Sequence, residues 1–363
     1  MSESQFSKEL QIAQLAVQRA SLLTKRVLAQ VDNGALDKKD KTPVTIADFG
    51  AQALIIAAIH ASFPDDEFIG EETSEVLRKD TSLCERVWNL VKSTKLDHDD
   101  AEALLETPAT AESMMDIIDL GKGAGGRKGR VWMLDPVDGT ATFMRNQQYA
   151  VCLCLAVDGR QKVGVLGCPN LNLDDGKVSE MSVPKQGEGS GYLLSAVAGQ
   201  GAMMTPLTTG RLGMSKVISA KTSIRDAEGE WDDLDFVEST GSKSLDLALH
   251  QKIAASLSPS SKWPGTDLWS SQMRYVAMAV GGGDIMLRMY AGKGHHSYVW
   301  DHAGGFLIFE ESGGKVTDLQ GREIDFGCGR TLSGNDEMVA APAIVHDAVL
   351  SRIREVVGKH KGL

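Results

Sequence analysis

The sequence predicts a mixed fold in two halves, an α+β half over residues 1–205 and an α/β half over residues 206–363. Two observations predict the first half: residues 8–31 place apolar side chains at helical spacing, and residues 131–198 contain several short apolar runs typical of strands. Beyond them, short strand-like runs alternate with helical stretches, which is the pattern of an α/β unit. A chain of 363 residues accommodates one or two such domains.

The N-terminal helices are predicted from apolar periodicity and from turn residues. The first covers residues 8–31, where apolar residues recur every three or four positions. Residues 38–43 are polar and end in proline, so we expect a loop there. The second helix is predicted to begin near Thr45 or Asp48 and to end at Ser62.

The later elements are predicted from strand and turn signals. A short strand over residues 68–70 runs directly into two glutamates, and residues 73–118, mostly polar with a helical tendency, are expected to form a surface insertion. An Asp-Gly pair at 158–159 between two β-rich runs predicts a hairpin. The other predicted strands cover 131–134, 149–157, 163–167, 192–198 and 284–288, and the other predicted helices cover 244–257, 268–281 and 301–312.

Composition and charge argue against several classes of function. The formal net charge is −11, from 38 Lys and Arg against 49 Asp and Glu, whereas a nucleic-acid partner needs a basic face. The five cysteines form no CxxC pair, so neither a disulfide framework nor a zinc site is expected. No leader pattern and no apolar stretch of about eighteen residues occurs. We therefore expect a cytoplasmic protein that does not span a membrane. Independently of these observations, a monomer is expected rather than an oligomer.

Residues 135–140, Asp-Pro-Val-Asp-Gly-Thr, carry the strongest chemical signal. An apolar run delivers Asp135 to the end of a predicted strand, where the proline is expected to stop the ladder. Asp135 and Asp138 can converge across the turn, and a proton or a cation would then relieve their repulsion. Oxygen-only ligands favour Mg²⁺. The alternative is an Asp-Gly turn with an Asp helix cap, which is favoured if this segment is taken alone.

Three other segments place carboxylates after strands or at helix starts. Asp48 follows a proline loop, and Glu71 with its neighbour follows the short strand. Asp301 begins a helix of small residues. Each has a simpler alternative, N-capping for the aspartates and a surface pair for the glutamates. A Gly-x-Gly-x-x-Gly match at 121–126 leads into a strand, so a flexible basic loop near the site is favoured over a dinucleotide fold.

Four elements occur in one order, P-V-T-x-A-D, G-E-E, D-P-V-D-G-T and W-D-H-A-G-G, and together they resemble the inositol monophosphatase superfamily of Mg²⁺-dependent, lithium-sensitive phosphatases. The resemblance covers nearly the whole chain and implies a layered α-β-α-β-α sugar-phosphatase fold with the site between the halves. It is sharper toward the 3'(2'),5'-bisphosphate nucleotidases, through further segments at residues 63–66, 125–130, 148–153, 167–171 and 325–332.

The resemblance implies a site for two or three Mg²⁺ ions. Glu71, Asp135 and the backbone carbonyl of Val137 would hold one ion. Asp135, Asp138 and Asp301 would hold a second, and a third would bind more weakly.

The resemblance also implies which residues act on water and on the phosphate. Asp48 and Thr140 would orient and deprotonate the attacking water, and the backbone N–H groups of Gly139 and Thr140 would meet the phosphate. Asp138 and Asp301 would line the substrate as well as the metal. The implied reaction is in-line attack of water on a phosphomonoester, assisted by metal ions.

Nucleotide contacts are implied in the second half of the chain. Ser271, Arg274 and Arg288 lie in stretches that match the family pattern, and Ser242 lies in another. Arg274 stands where a lysine is usual and Ser242 where a histidine is usual, while residues 141–142 replace a common Lys-Gly. The alternative for Arg288 is a surface cation at a strand end.

The expected function is hydrolysis of the 3'- or 2'-phosphate of adenosine bisphosphates to AMP and phosphate, with 3'-phosphoadenylyl sulfate as a further substrate. One alternative is an inositol polyphosphate 1-phosphatase or inositol monophosphatase-like enzyme with the same metal site. Another is a non-catalytic nucleotide-binding regulatory protein. The second alternative is disfavoured because every polar side chain that the implied metal and water chemistry requires is present: Asp48, Glu71, Asp135, Asp138, Thr140 and Asp301.

Overall fold

The computed structural model describes residues 5–32, 42–174, 176–184, 191–220, 231–292 and 294–361. The helices are α1 Ser7–Asp32, α2 Thr42–Ser62, α3 Glu75–Lys79, α4 Thr81–Ser93, α5 Asp99–Glu102, α6 Ala111–Asp119, α7 Thr140–Phe143, α8 Leu247–Leu257, α9 Ser271–Val280, α10 Ala303–Glu311 and α11 His346–Lys361. The strands are β1 Glu67–Gly70, β2 Arg130–Asp138, β3 Ala150–Val157, β4 Arg160–Cys168, β5 Tyr192–Val197, β6 Ala202–Pro206, β7 Lys216–Ile218, β8 Phe236–Glu238, β9 Thr266–Asp267, β10 Ile285–Arg288, β11 Gly314–Thr317 and β12 Met338–Pro342.

The two N-terminal helices form as predicted, but the second begins earlier. α2 starts at Thr42, so Pro43 lies in its first turn, where a missing N–H costs no helical hydrogen bond. The loop predicted for residues 38–43 is therefore wrong at its last two positions, and residues 38–41 lie outside the described part of the chain.

α2 is long and apolar enough to cross a membrane by length and composition alone, with a mean hydropathy of 1.6. In the fold, 78% of that window is buried inside the protein. The helix packs between α1 on one side and β2, α4 and α6 on others. Its apolar character is that of a core helix.

The surface insertion expected over residues 73–118 is wrong, because this segment contributes to the core. Its helices bury Leu77, Val87, Met114 and Ile118 in the same apolar cluster as α1 and α2. The apolar residues recur at helical spacing, but charged neighbours dilute the pattern, so the sequence is read as a polar stretch.

The first sheet has seven strands in chain order, β1 to β7. β1 and β2 are parallel, and each later neighbouring pair is antiparallel. The predicted β3–β4 hairpin is confirmed, and its turn residues Asp158 and Gly159 both have positive φ, 51° and 77°. The sheet continues through Ile218, beyond the boundary predicted near residue 205.

The second sheet has the order β11-β12-β10-β8-β9. β8 lies parallel to both β9 and β10, while β12 runs antiparallel to its two neighbours. Among the described residues, this sheet begins at Phe236. The division of the chain into halves at residue 205 stays a prediction.

Five layers alternate in this protein: α1 with α2, the first sheet, α9 with α10, the second sheet, and α8 with α11. The alternation of side chains along each strand separates the cores between these layers. On β2, Trp132 faces the outer helices, while Met133 faces α9 and α10. On β10, Met286 faces α9 and α10, and Leu287 faces the last helical layer. The layered α-β-α-β-α fold is confirmed.

Candidate active site

Two parallel strands deliver acidic residues to one edge of the first sheet. Gly70 of β1 lies opposite Leu134 of β2, so the next residues are neighbours: Glu71 directly follows β1, and Asp135 lies within β2. The Asp135 carboxyl group interacts with that of Glu71 and lowers the pKa of Glu71. Loss of water around Glu71 and the nearby charges of Glu72 and Asp301 raise the pKa of Glu71 to about 7.

A β-bulge brings Asp138 to the same face as Asp135. Asp135 lies opposite Cys152, and Asp138 lies opposite Ala150, so three steps on β2 match two on β3. The strand continues through Pro136 to Asp138. The prediction that this proline ends the strand is therefore wrong: it lies at the irregularity, where its missing N–H is tolerated.

Asp138 is held by the N-terminal end of α9 in the second half of the chain. Its Oδ2 accepts hydrogen bonds from Ser270 Oγ at 2.5 Å and from the backbone N–H of Gln272 at 2.6 Å. Burial raises the pKa of Asp138, and these hydrogen bonds and the charge of Arg274 oppose the increase. The carboxylate thus links the first sheet to the helical layer between the two sheets.

The helix-cap alternative fails at each of the three aspartates. The N-cap of α7 is Gly139, with no side-chain cap hydrogen bond, so Asp138 does not cap the helix that follows it. Asp48 lies in the second turn of α2, well inside the helix. Asp301 precedes His302, which is the N-cap of α10. None of the three aspartates therefore caps the helix that adjoins it in the sequence.

Gly139 and Thr140 form the turn beside Asp138. Gly139 has φ 100°, which favours glycine, and a Cβ there would lie 2.8 Å from Thr142 Oγ1. Thr140 is exposed at the start of α7. The buried Val137 donates its N–H to Asp135 Oδ1 at 3.0 Å, so the Asp135 side chain braces the turn from inside.

Asp48 approaches the same site from α2. It is only 5% exposed, and its Oδ1 has no hydrogen-bond partner among the described residues. Burial, followed by the charges of Glu71 and Glu72, raises the pKa of Asp48 well above its ordinary value. An orphaned, buried carboxylate oxygen beside other carboxylates indicates a position for a proton, a water or a cation.

We call Asp48, Glu71, Asp135 and Asp138 the acidic cluster. Asp48, Glu71 and Asp138 each raise the pKa of at least one other member, and all three raise that of Asp135. Oxygen is the only donor atom of these side chains, which fits Mg²⁺. Within the described ranges, no three His, Cys, Asp or Glu side chains are grouped closely enough to hold an ion by themselves. Mg²⁺ normally keeps several waters, so a shell shared with solvent and substrate suits this set.

Arg274 and Arg288, which we call the arginine pair, lie near Asp301, whose pKa their charges lower. Ser271 Oγ accepts hydrogen bonds from Arg274 Nη2 at 2.9 Å and from Arg288 Nη1 at 3.4 Å. Arg274 is only 2% exposed and its Nη1 has no partner among the described residues. Burial and then Arg288 lower the pKa of Arg274 to about 10. The surface-cation alternative for Arg288 is wrong, because its guanidinium points inward to Ser271.

Asp301 lies between the acidic cluster and the arginine pair. Burial and then Asp138 raise its pKa, Arg288 and Arg274 lower it, and the net value is about 7. The structure therefore brings together the predicted residues from both halves. Ser242 is different: its hydroxyl pairs with Ser244 at 3.1 Å in the loop after β8, and its role stays a prediction.

Two fully buried glutamines that the sequence reasoning missed hold the carboxylate segments. Gln52 of α2, one turn after Asp48, accepts from the backbone N–H of Glu72 at 3.0 Å and donates to its carbonyl at 2.8 Å. Gln272 of α9 donates to the Trp300 carbonyl at 2.8 Å and accepts from the Gly305 N–H at 2.7 Å. The sequence signal that could indicate such a residue is a single glutamine among apolar residues, as at Gln52 in α2.

Five alternating layers around an oxygen-rich acidic site are the architecture of the layered α/β phosphatases. The chain belongs to the inositol monophosphatase family, whose family model matches residues 6–357. The fold is shared with Mycobacterium tuberculosis SuhB, with a TM-score of 0.56 and 17% identity over 98% of this chain and 99% of that chain.

Closer relatives share much more of the sequence. A 3'(2'),5'-bisphosphate nucleotidase of Emericella nidulans is 44% identical over 356 residues, which cover 97% of this chain and 99% of that protein. A protein of the same name from Schizosaccharomyces pombe is 39% identical and covers 98% of this chain and 97% of its own length.

Proposed function

We propose that this protein is a Mg²⁺-dependent 3'(2'),5'-bisphosphate nucleotidase. It removes the 3'- or 2'-phosphate of adenosine 3'(2'),5'-bisphosphate to give AMP and phosphate, and 3'-phosphoadenylyl sulfate is a second substrate to test. The observation that carries the proposal is the meeting of the acidic cluster and the arginine pair at Asp301, where the charge of Asp138 raises the pKa and those of Arg288 and Arg274 lower it. The two nucleotidase relatives at 44% and 39% identity support the choice of substrate.

The acidic cluster would hold the metal ions together with Asp301. Glu71, Asp135 and the Val137 carbonyl form one proposed ligand set, and Asp135, Asp138 and Asp301 form the second. When bound, Mg²⁺ supplies positive charge to the phosphoryl oxygens and makes water more acidic. The hydrogen bonds from Ser270 and Gln272 leave Asp138 with one oxygen, Oδ1, for this purpose.

The remaining residues would act on water and on the substrate. Asp48 has a raised pKa and an unpartnered Oδ1, so it is suited to accept the proton of the attacking water. Thr140, which is exposed at the start of α7, would orient that water. The N–H groups of Gly139 and Thr140 would meet the transferred phosphate.

Recognition of the nucleotide is assigned to the second half. Ser271 and the arginine pair would hold negative charge on the substrate, with Ser242 at the nucleoside side. We further propose that the enzyme is a cytoplasmic monomer.

Phosphate release from purified full-length protein tests the proposal. With Mg²⁺, adenosine 3',5'-bisphosphate should be hydrolysed at least about tenfold faster, by kcat/KM, than inositol 1,4-bisphosphate. EDTA should abolish release, and tens of millimolar Li⁺, roughly, should inhibit it by competing at a metal position. A strong preference for the inositol ester would instead indicate an inositol phosphatase. Binding of the nucleotide without any phosphate release would indicate a regulatory protein.

A further inference from the structure

Arg330 lies outside the proposed ligand sets, in the segment 325–332 that no step of the mechanism uses. Its Nη2 donates to the carbonyl of Gly70 at 2.6 Å. Its Nη1 donates to the carbonyls of Gly121 at 2.9 Å and Gly123 at 3.1 Å. These three hydrogen bonds hold the end of β1 and the loop beside it, at the residue directly before Glu71.

The same guanidinium also contacts the segment that carries Asp301. It lies over the Trp300 ring at 4.8 Å from the centroid, and Trp300 directly precedes Asp301. Trp300 in turn stacks on Tyr298 with centroids 4.4 Å apart and an angle of 7°. One planar cation therefore touches the chain next to two proposed metal ligands, one directly after β1 and one shortly before α10.

The backbone around Arg330 strengthens this connection. The N–H of Val299 donates to the Arg330 carbonyl at 3.0 Å, and the N–H of Leu332 donates to the Ser297 carbonyl at 2.9 Å. Tyr298 and Thr331 form a β-bridge between these two segments. The main chain of Arg330 thus pairs with the segment that precedes Asp301, while its side chain binds the residue that precedes Glu71.

We propose that Arg330 is a positioning residue that sets the separation of Glu71 and Asp301 across the metal site. The inference rests on the proposed function, because it takes both carboxylates as metal ligands. Its donors point to main-chain carbonyls, so it acts by holding the backbone of both segments. Arginine suits the position because its planar fork serves two carbonyls at once and its face stacks on an indole, whereas lysine offers a single point charge.

Metal binding by the metal-free full-length protein, measured by calorimetry with Mg²⁺ and with Mn²⁺, tests the proposal without turnover. Arg330→Met should weaken binding by about 10- to 100-fold, as removal of groups that orient ligands typically does. Arg330→Lys should recover part of the loss. In activity assays, the Mg²⁺ concentration for half-maximal rate should rise, while KM for the bisphosphate at saturating Mg²⁺ stays within about threefold.

Arg127→Met is the matched control, since Arg127 is exposed and pairs with Asp325 of the same segment. It should leave metal binding unchanged. The proposal is overturned if Arg330→Met binds metal as tightly as this control, or if both Arg330 variants lose the folded circular dichroism spectrum, which would make Arg330 a folding residue only. If the unmodified protein bound neither metal ion, the proposed function would fail first.

Discussion

The acidic cluster and the arginine pair meet at Asp301 and differ in the sign of the charge that they bury. In the acidic cluster, burial and mutual repulsion raise the pKa of Asp48, Glu71 and Asp135. In the arginine pair, burial and mutual repulsion lower the pKa of Arg274 to about 10. Each side therefore holds excess charge of one sign that a ligand of the other sign would relieve.

The charges of the acidic cluster and of the arginine pair both act on Asp301. Its pKa of about 7 results from burial and Asp138 acting against the two arginines. Under the proposed function, a phosphate ester with bound cations would satisfy both sides at once, because the cations would neutralise the acidic cluster and the ester would pair with the arginines. Cation binding would then belong to the acidic cluster and anion binding to the arginine pair, with Asp301 shared.

The acidic cluster and the arginine pair differ in charge, but a buried glutamine holds the backbone near each of them. Gln52 holds the backbone next to Glu71, and Gln272 holds Asp138 and the backbone next to Asp301. Both are fully buried and neutral, so they fix positions without adding charge to the field. Because Gln52 and Gln272 are neutral, they fix these backbone segments without compensating the charge of the acidic cluster or of the arginine pair.

The largest effect should come from the acidic cluster. Asp138→Asn removes a ligand charge but keeps an oxygen for Ser270 and Gln272, so turnover should fall by about 10³-fold or more, roughly 4 kcal/mol, with little change in the melting temperature. Phosphate release and thermal unfolding measure the two quantities.

Asp116→Asn serves as the control for Asp138→Asn, because Asp116 is an exposed carboxylate that pairs with Arg78 on the surface. It should turn over normally. Turnover of Asp138→Asn within about tenfold of the unmodified protein would remove Asp138 from the metal site.

A smaller effect of a different kind should come from the arginine pair. Arg288→Met removes the hydrogen bond to Ser271 and a buried positive charge, so KM for the bisphosphate should rise by about 10- to 100-fold, while metal affinity changes much less. Steady-state kinetics at saturating Mg²⁺ and metal calorimetry separate the two parameters.

Arg160→Met, at an exposed arginine beside the β3–β4 turn, is the comparison variant for Arg288→Met and should leave KM unchanged. If Arg288→Met weakened metal binding as much as substrate binding, the proposed division of cation and anion binding between the acidic cluster and the arginine pair would be wrong.

Much of the site could be predicted from the sequence because its carboxylates belong to short local patterns. Asp135 and Asp138 are three residues apart, and Glu71 directly follows a strand, so strand ends and turns alone suggest where they lie. The β-bulge that turns Asp138 to the face of Asp135 is not predictable this way, because it depends on the register with β3. The proline instead suggested an end to the strand.

The supporting residues could not be predicted because their partners are distant in sequence. Gln272 contacts Trp300, and Arg330 contacts Gly70 across 260 positions. The buried helices of residues 73–118 were misjudged for a related reason: their sparse apolar residues become a core only when α2 covers them. Local periodicity predicts where helices and strands form, whereas tertiary packing decides which polar side chains hold the backbone of the site.

The smallest expected effect is a pH-dependent stability difference between the metal-free protein and Glu71→Gln. Folded Glu71 has a pKa of about 7, against about 4.3 in an unfolded chain, so the folded state holds more protons between these values. The stability of the unmodified protein should therefore fall relative to Glu71→Gln as pH rises from about 5 to about 7, and then level off. Solvent screening of this partly exposed side chain limits the change to a few degrees in melting temperature.

Thermal unfolding of both proteins in EDTA across this pH range measures the difference, and contributions from histidines such as His302 cancel because both chains contain them. Saturating Mg²⁺ should reverse the order above pH 7, because only the unmodified protein offers the Glu71 carboxylate as a ligand. A melting-temperature difference that is constant with pH, with and without Mg²⁺, would show that Glu71 does not belong to the acidic cluster, and the contrast with the arginine pair would then rest on Asp48, Asp135 and Asp138.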